Sequence, residues 1–325
     1  MRLRLVKSET NIDFFKNANS TFGLSICAMF ISILCFLLVG LNYGIDFRGG
    51  TMIMMKVSDS TSVNEVRTKL IDLKIGDVSV TEVSDPSLEI VTSKKKNLIL
   101  IKIEQQPGNQ SVQNDMIIKV KSALIAEFPE CIFQQTESVG SKVSGELVQK
   151  AIWAVLFAVA SVLFYIWVRF EWQFSLGAVL ALVHDVVLTI GIFSILGLEF
   201  NLSIIAAILT IVGYSLNDTV IVFDRVRENL RKNIRMPLAS VLNKSINDTL
   251  SRTVMTSFTT MLALLALYFL GGEVIRGFTF AMIWGVVVGT YSSVFISSAI
   301  LLKLGVKRDW TKENTGAGTN FSSDG

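Results

Sequence analysis

Histidine and cysteine are nearly missing from this chain, and so are the short motifs that mark common enzymes. Among 325 residues there is a single histidine, His184, which excludes a multi-histidine metal centre. Three cysteines occur, Cys27, Cys35 and Cys131, an odd number with no CxxC, so no disulfide framework is supported. No GK[ST] sequence exists, which removes a P-loop and ATP hydrolysis by that route. There is no GxSxG either. The chain reads as no enzyme, with no metal and no cofactor expected. The formal net charge is only +3. Its basic residues gather in loops and at the two ends, so they read as topology signals and not as a nucleic-acid surface.

What the chain has is apolar sequence. Hydrophobic residues make up 51%, and the mean hydropathy is +0.53. They are clumped into runs near the ~20 residues that cross a bilayer. The first run spans Phe22 to Leu41, behind a flank carrying Arg2, Arg4, Lys7 and Lys16. It is longer than the roughly 7–15 residues of a signal-peptide core and no A-x-A site follows, so it reads as an uncleaved anchor. A polar stretch from Asn42 to Gln149 comes next. Five further runs follow: Ala151–Val168, Phe174–Leu196, Leu202–Phe223, Val254–Leu270 and Val274–Leu301.

The loops set the orientation. The connection between spans four and five holds Arg225, Arg227, Arg231, Lys232, Arg235, Lys244 and Arg252 against Glu228 and Asp248. The opposite loops, LGLEFN and GGEVIRG, hold only Arg276. The positive-inside rule then puts both termini in the cytoplasm and region 42–149 outside. The expected organisation is a cytoplasmic N-terminus at 1–21, a first span at 22–41, an outer domain at 42–149, spans two to six within 150–302 and a cytoplasmic tail at 303–325. That tail is polar and glycine-rich and reads as disordered.

The outer region reads as a small α/β domain. Residues 51–58, 78–83, 97–105 and 131–139 read as strands. Ser62 with Glu65 forms a capping-box pattern ahead of Val66, Leu70 and Leu73. Ile117, Val120, Leu124 and Phe128 sit at helical spacing within 114–128. The order β-α-β-β-α-β is the pattern of a ferredoxin-like sandwich. The fold class is therefore a six-span α-helical membrane protein with one extracytoplasmic ferredoxin-like domain between spans one and two.

One acid stands out. Asp218 lies inside the fourth apolar run, with TVIVFD before Arg225. A carboxylate in hydrocarbon costs about 2.5–3.5 kcal/mol on insertion scales, so a functional ion or proton site is the default reading. The alternative is a polar contact that holds helices together.

Three segments carry a family resemblance. LNYGIDFRGGT runs from Leu41 to Thr51, GYSLNDTVIVFDRVREN from Gly213 to Asn229, and RTVMTSFTT from Arg252 to Thr260. In this order and placement they resemble the SecD/SecF family of the bacterial Sec protein-export complex, within the resistance-nodulation-division superfamily. The resemblance implies a SecF-type half in the inner membrane with SecD as obligate partner. It also implies SecYEG and YajC as neighbours, exported unfolded polypeptides as cargo, and the proton motive force as the driver of late export steps. It implies that Asp218 takes part in proton passage. Two rivals stay open: a small-molecule exporter of the same superfamily, and a structural assembly subunit with no proton role.

The remaining polar residues have two readings each. Arg252 is either the cation that faces Asp218, as the resemblance implies, or an interfacial arginine. Arg252, Thr256 and Thr260 are spaced i, i+4, i+8 on one face. Asp218 lies about 9 Å inside the Asp224 end, a gap an arginine covers in part. Asp185 and His184, inside span three, either orient helices or act in a relay. Tyr214, Ser215 and Asn217, with Gly213, surround Asp218, and Gly213 reads as a helix-packing residue. Gly285 and Gly289 form GxxxG in span six and also read as packing. Gly44, Asp46, Gly49 and Gly50 lie where the chain leaves the membrane. They read as a structural junction, and the resemblance makes them a family signature.

Overall fold

The computed structural model describes residues 10–16, 18–58, 61–73, 75–76, 78–83, 98–105 and 110–306. Arg2, Arg4, Lys7, and the tail beyond residue 306 with its expected disorder, lie outside the described residues. Six helices among the described residues are long and apolar enough to cross a membrane.

The chain begins its first span with α1 (Ala18–Leu38). A two-residue strand, β1 (Asn42–Tyr43), and one helical turn, α2 (Ile45–Arg48), lead out of it. The small domain is β2 (Gly50–Lys56), α3 (Val63–Asp72), β3 (Val78–Val83), β4 (Leu98–Glu104), α4 (Gln110–Glu127) and β5 (Ile132–Val139). Spans two and three are α5 (Ser141–Arg169) and α6 (Trp172–Leu196). A short strand, β6 (Glu199–Phe200), precedes span four, α7 (Leu202–Lys232), and span five is α8 (Leu238–Leu270). Span six is α9 (Glu273–Tyr291), a π-helical turn (Ser292–Ile296) and α10 (Ser297–Leu304).

The domain forms as its sequence pattern dictates. The four-stranded sheet has the order β3-β4-β2-β5, with every neighbouring pair antiparallel. Alternation sends Ile53 and Met55 of β2 and Ile99, Ile101 and Ile103 of β4 to one face. Val66 and Leu70 of α3, and Met116, Val120 and Leu124 of α4, close over them. The capping box is present: Glu65 N–H donates to Ser62 Oγ at 3.2 Å, and Ser62 N–H donates to Glu65 Oε2 at 3.1 Å. α4 starts at Gln110 and not at Asn114 as expected. Gln113 is buried in its first turns and donates to Thr51 Oγ1 at 2.8 Å, a tertiary anchor that apolar spacing does not register.

Several boundaries differ from the apolar runs. α1 starts at Ala18 and ends at Leu38, displaced from the expected 22–41. α5 begins at Ser141, directly after β5, so the domain ends earlier than residue 149. The 225–252 connection is not a loop. α7 continues to Lys232 and α8 begins at Leu238, which leaves only 233–237 as the turn. Charged side chains stabilise this hairpin beyond the apolar spans. Arg225 Nε donates to Asp248 Oδ2 at 2.7 Å, Lys232 Nζ to Glu228 Oε1 at 2.6 Å, and Asn229 Nδ2 to Ser245 Oγ at 3.0 Å.

A second, two-stranded sheet is formed by β1 and β6 in parallel, with Asn42 opposite Glu199 and Tyr43 opposite Phe200. It ties the exit of span one to the entry of span four. The bundle has two large hydrophobic clusters and a smaller one around Ala181, Ile296 and Ile300. One large cluster packs Phe174, Phe223, Val226, Val241 and Leu301, and the other Phe193, Ile204, Ile208, Ile211 and Val286.

Candidate functional site

Asp218 is 2% exposed on α7, and its Oδ2 is buried without a hydrogen-bond partner. Residues flanking it in the helix explain the position. Thr219, Val222 and Phe223 are buried beside it, so the packed face of α7 carries the carboxyl inward. Arg252 is exposed on α8, and its charge acts electrostatically on Asp218. The two form no direct ion pair.

A second carboxylate lies nearby in the bundle and is bonded very differently. Asp185 Oδ2 accepts from Ser215 Oγ at 2.7 Å and from Ser292 Oγ at 2.8 Å. Asp185 Oδ1 lies 3.0 Å from His184 Nδ1. Spans three, four and six therefore meet on one side chain. Ser215 lies one turn before Asp218, and Thr219 Oγ1 donates back to the Ser215 carbonyl at 3.2 Å. Ser292 opens the π-helical turn, an element that often marks functional sites. Thr189 Oγ1 donates to the Asp185 carbonyl at 2.7 Å and not to its carboxylate.

Small residues permit this approach. A Cβ on Gly289 would lie 3.0 Å from Ser215 Cβ, and one on Gly285 would run into the Ile211 side chain. The GxxxG pair of span six thus packs against span four, as expected. Gly213 does not. It is exposed, and an added Cβ would meet nothing within 4 Å. Its spacing puts it on the face that also carries exposed Asn217, away from Asp218.

The other expected residues divide. Tyr214 keeps a buried hydroxyl without a partner, and His184 a buried Nε2 likewise. Thr256 is half-buried and donates to the Thr253 carbonyl at 2.9 Å, and Thr260 is half-buried. The buried hydroxyl beside Arg252 in span five belongs to Thr253, whose Oγ1 has no partner. Sequence spacing did not single out Thr253 or Ser292. Both are small and polar in apolar surroundings, which is their only sequence signal.

The signature residues form a junction. Gly44 N–H donates to the Phe200 carbonyl at 2.9 Å, and Asp46 Oδ2 accepts the Leu202 N–H at 2.9 Å. Gly49 and Gly50 have φ of +79° and +140°, which glycine adopts without the penalty of a Cβ. Chemically, the site is a carboxyl with a free oxygen, in an apolar bundle, within electrostatic reach of a cation on the adjacent helix.

Known proteins resemble this chain over its whole length. The family model described as "Protein export membrane protein SecD/SecF, C-terminal" matches residues 119–307. The model described as "SecD/SecF GG Motif" matches residues 36–61, which include the junction. A protein translocase subunit SecF from Rhodobacter capsulatus is 49% identical, covering 100% of this chain and 97% of the relative. A protein translocase subunit SecDF from Brucella abortus is 41% identical over 94% of this chain, which spans 39% of that longer protein. The crystal structure of SecDF from Thermus thermophilus, a translocon-associated membrane protein, superposes with a TM-score of 0.79 at 34% identity. The match covers 94% of this chain and 40% of that one. A SecDF structure in a super-membrane-facing form superposes with a TM-score of 0.62, also at 34% identity. The chain belongs to the SecD/SecF family of protein export membrane proteins, on its SecF side.

Proposed function

We propose that this chain is the SecF-type subunit of a protein translocase and that, with SecD, it uses the proton motive force to promote late steps of Sec-dependent export. The observation that carries the reading is Asp218, a membrane-buried carboxyl with an unpartnered oxygen and Arg252 as its electrostatic counterpart. A residue that merely joined helices would be bonded as Asp185 is. In this reading Asp218 takes up a proton from one side and releases it to the other. Arg252 gates that exchange by approaching and withdrawing. Asp185 holds spans three, four and six together around the site, with His184 as its neighbour.

The partner half is SecD. Relatives that carry both names on one chain, such as the Brucella SecDF, support it. SecYEG and YajC are the proposed neighbours in the membrane, and unfolded exported polypeptide is the cargo. The proposed place is the bacterial inner membrane, with both termini cytoplasmic and the small domain outside, on the charge of the loops. We read that domain as ferredoxin-like. The strand order β3-β4-β2-β5 and the two helices on one sheet face support this. The two SecDF structures superpose on this chain with different TM-scores at one identity, which fits a family with more than one arrangement.

The test is export in cells whose own SecF-type subunit is depleted. Arg252→Lys keeps the charge but loses the planar fork, so it should restore export in part. Arg252→Ala should restore far less, per inserted molecule, across external pH. If Arg252→Ala matches the unmodified chain at every pH, the pairing with Asp218 is wrong.

A further inference from the structure

The small domain is held to the membrane bundle by more than its covalent ends. Asp46, in α2, accepts the Leu202 N–H at the first turn of span four. The first amides of a helix have no internal partner, and a carboxylate there also complements the helix dipole. Asn201 takes the Ile204 N–H of the same turn at 3.3 Å. Two side chains from distant segments therefore cap one helix end. The approach is close enough that a Cβ on Gly44 would lie 2.7 Å from Glu199 Oε1 and 3.1 Å from Asn201 Cβ.

The sheet reaches the same place from the other side. Lys102, on β4, forms an ion pair with Glu199 of β6. Beside it is a cleft of about 240 Å³ lined by Asn42, Tyr43, Arg48, Ser79 and Glu104. β4 is hydrogen-bonded to β2, and β2 follows α2 through Gly49 and Gly50. One central strand, through Lys102, and the turn leading into the other, through Asp46, thus meet at residues 199–202, at the start of the helix that carries Asp218. The side chains of Lys102 and Glu199 are 27% and 30% exposed, so the pair adds little to stability. What it does supply is direction, because it joins two rigid elements at a fixed point.

We propose that Asp46 and the Lys102–Glu199 pair are positioning residues that make the small domain and the start of span four one mechanical unit. A displacement of the Asp218 helix is then handed directly to the sheet. The proposal rests on Asp218 as the site of proton passage, and the experiment separates the two.

The test uses the full chain with its partner and the translocation channel in proteoliposomes, with its own cysteines replaced. Spin labels go at position 132 on β5, where Ile132 is 60% exposed, and at position 232, where the Lys232 side chain is 64% exposed. Pulsed dipolar spectroscopy reads the distance distribution between them. Export and proton entry are measured on the same preparations. The combined change Asp46→Ala with Glu199→Gln should broaden the distribution and lower export several-fold, while proton entry persists. The swap Lys102→Glu with Glu199→Lys should bring back a narrow distribution and most of the export. An unchanged distribution in the broken variant overturns the proposal. So does a swap that stays as broad as the broken variant, or proton entry that falls in step with export, as for a merely structural joint. If the broken variant fails to insert, Asp46→Asn paired with Lys102→Gln is read by the same criteria. If the unmodified protein admits no protons, the proton reading fails, and the distance distributions still decide the joint.

Discussion

Ser292 donates its hydroxyl to Asp185 Oδ2 at 2.8 Å, from the π-helical turn of span six to span three. Ser215 of span four reaches the same oxygen at 2.7 Å. Removing either hydroxyl leaves a buried acceptor short of one partner, at about 1–3 kcal/mol. Ser292→Ala and Ser215→Ala should each lower the unfolding temperature of the purified protein in detergent, and Asp185→Ala should lower it more. Equal melting of all three with the unmodified protein would contradict the role given to Asp185.

The glycines of the bundle should respond in opposite directions. A Cβ at Gly285 would overlap the Ile211 side chain, and one at Gly289 would press on Ser215 Cβ at 3.0 Å, so each neighbour must shift. Alanine at either should cost about 1–3 kcal/mol by overpacking. Gly213→Ala meets no neighbour within 4 Å in this chain. It should be neutral, or stabilising by up to about 1 kcal/mol through helix propensity. The same melting assay ranks the three.

Cys131 offers a check on orientation and on the folded domain together. Its burial raises the thiol pKa above the usual range, so less thiolate is present at neutral pH. A membrane-impermeant maleimide should label it slowly in intact spheroplasts. The rate should keep rising with pH beyond the point where an ordinary thiol levels off, and jump on unfolding in urea. Cys27 and Cys35 lie in span one and should stay unlabelled. Labelling of Cys131 only after lysis would invert the topology.

The segment before span one is clamped by two asparagines of α8. Asn247 accepts the Ile12 N–H at 2.9 Å and donates to the Ile12 carbonyl at 2.8 Å. Asn243 accepts the Phe14 N–H at 2.9 Å, and Phe14 meets Phe295 edge-on at 5.8 Å between ring centroids. Asn243→Ala with Asn247→Ala should free this strap, and trypsin should then cut at exposed Lys16 several-fold faster. An unchanged cleavage rate would mean that the packing of Phe14 and Phe15 on the bundle core holds the segment.

Much of this architecture was legible in the sequence. The domain strands at 51–58, 78–83 and 97–105 were visible in the sequence, the second by its alternation, and α3 by the Ser62–Glu65 capping box. What was hidden depends on partners far along the chain. Nothing local marks Asn42 as opposite Glu199, or Asp46 as the cap of Leu202. The 225–252 hairpin looked like a loop because its many charged residues interrupt the apolar run, although Val226, Leu230, Val241, Leu242 and Ile246 pack at helical spacing. Spacing put Arg252, Thr256 and Thr260 on one face, yet it could not tell which face packs, and Thr253 is the buried one. Gly213 looked like a packing residue because small residues usually are, but in this chain its face is open.

The central claim is that Asp218 carries the proton. The direct measurement is proton entry into proteoliposomes that hold this chain with its partner and a pH-sensitive dye inside, under an imposed gradient. Asp218→Asn keeps the size and hydrogen-bonding capacity of the side chain and removes its titrating proton. The unmodified protein should acidify the lumen, and Asp218→Asn should fall to the background of empty vesicles while inserting and pairing normally. Proton entry through Asp218→Asn at the unmodified rate would contradict the account.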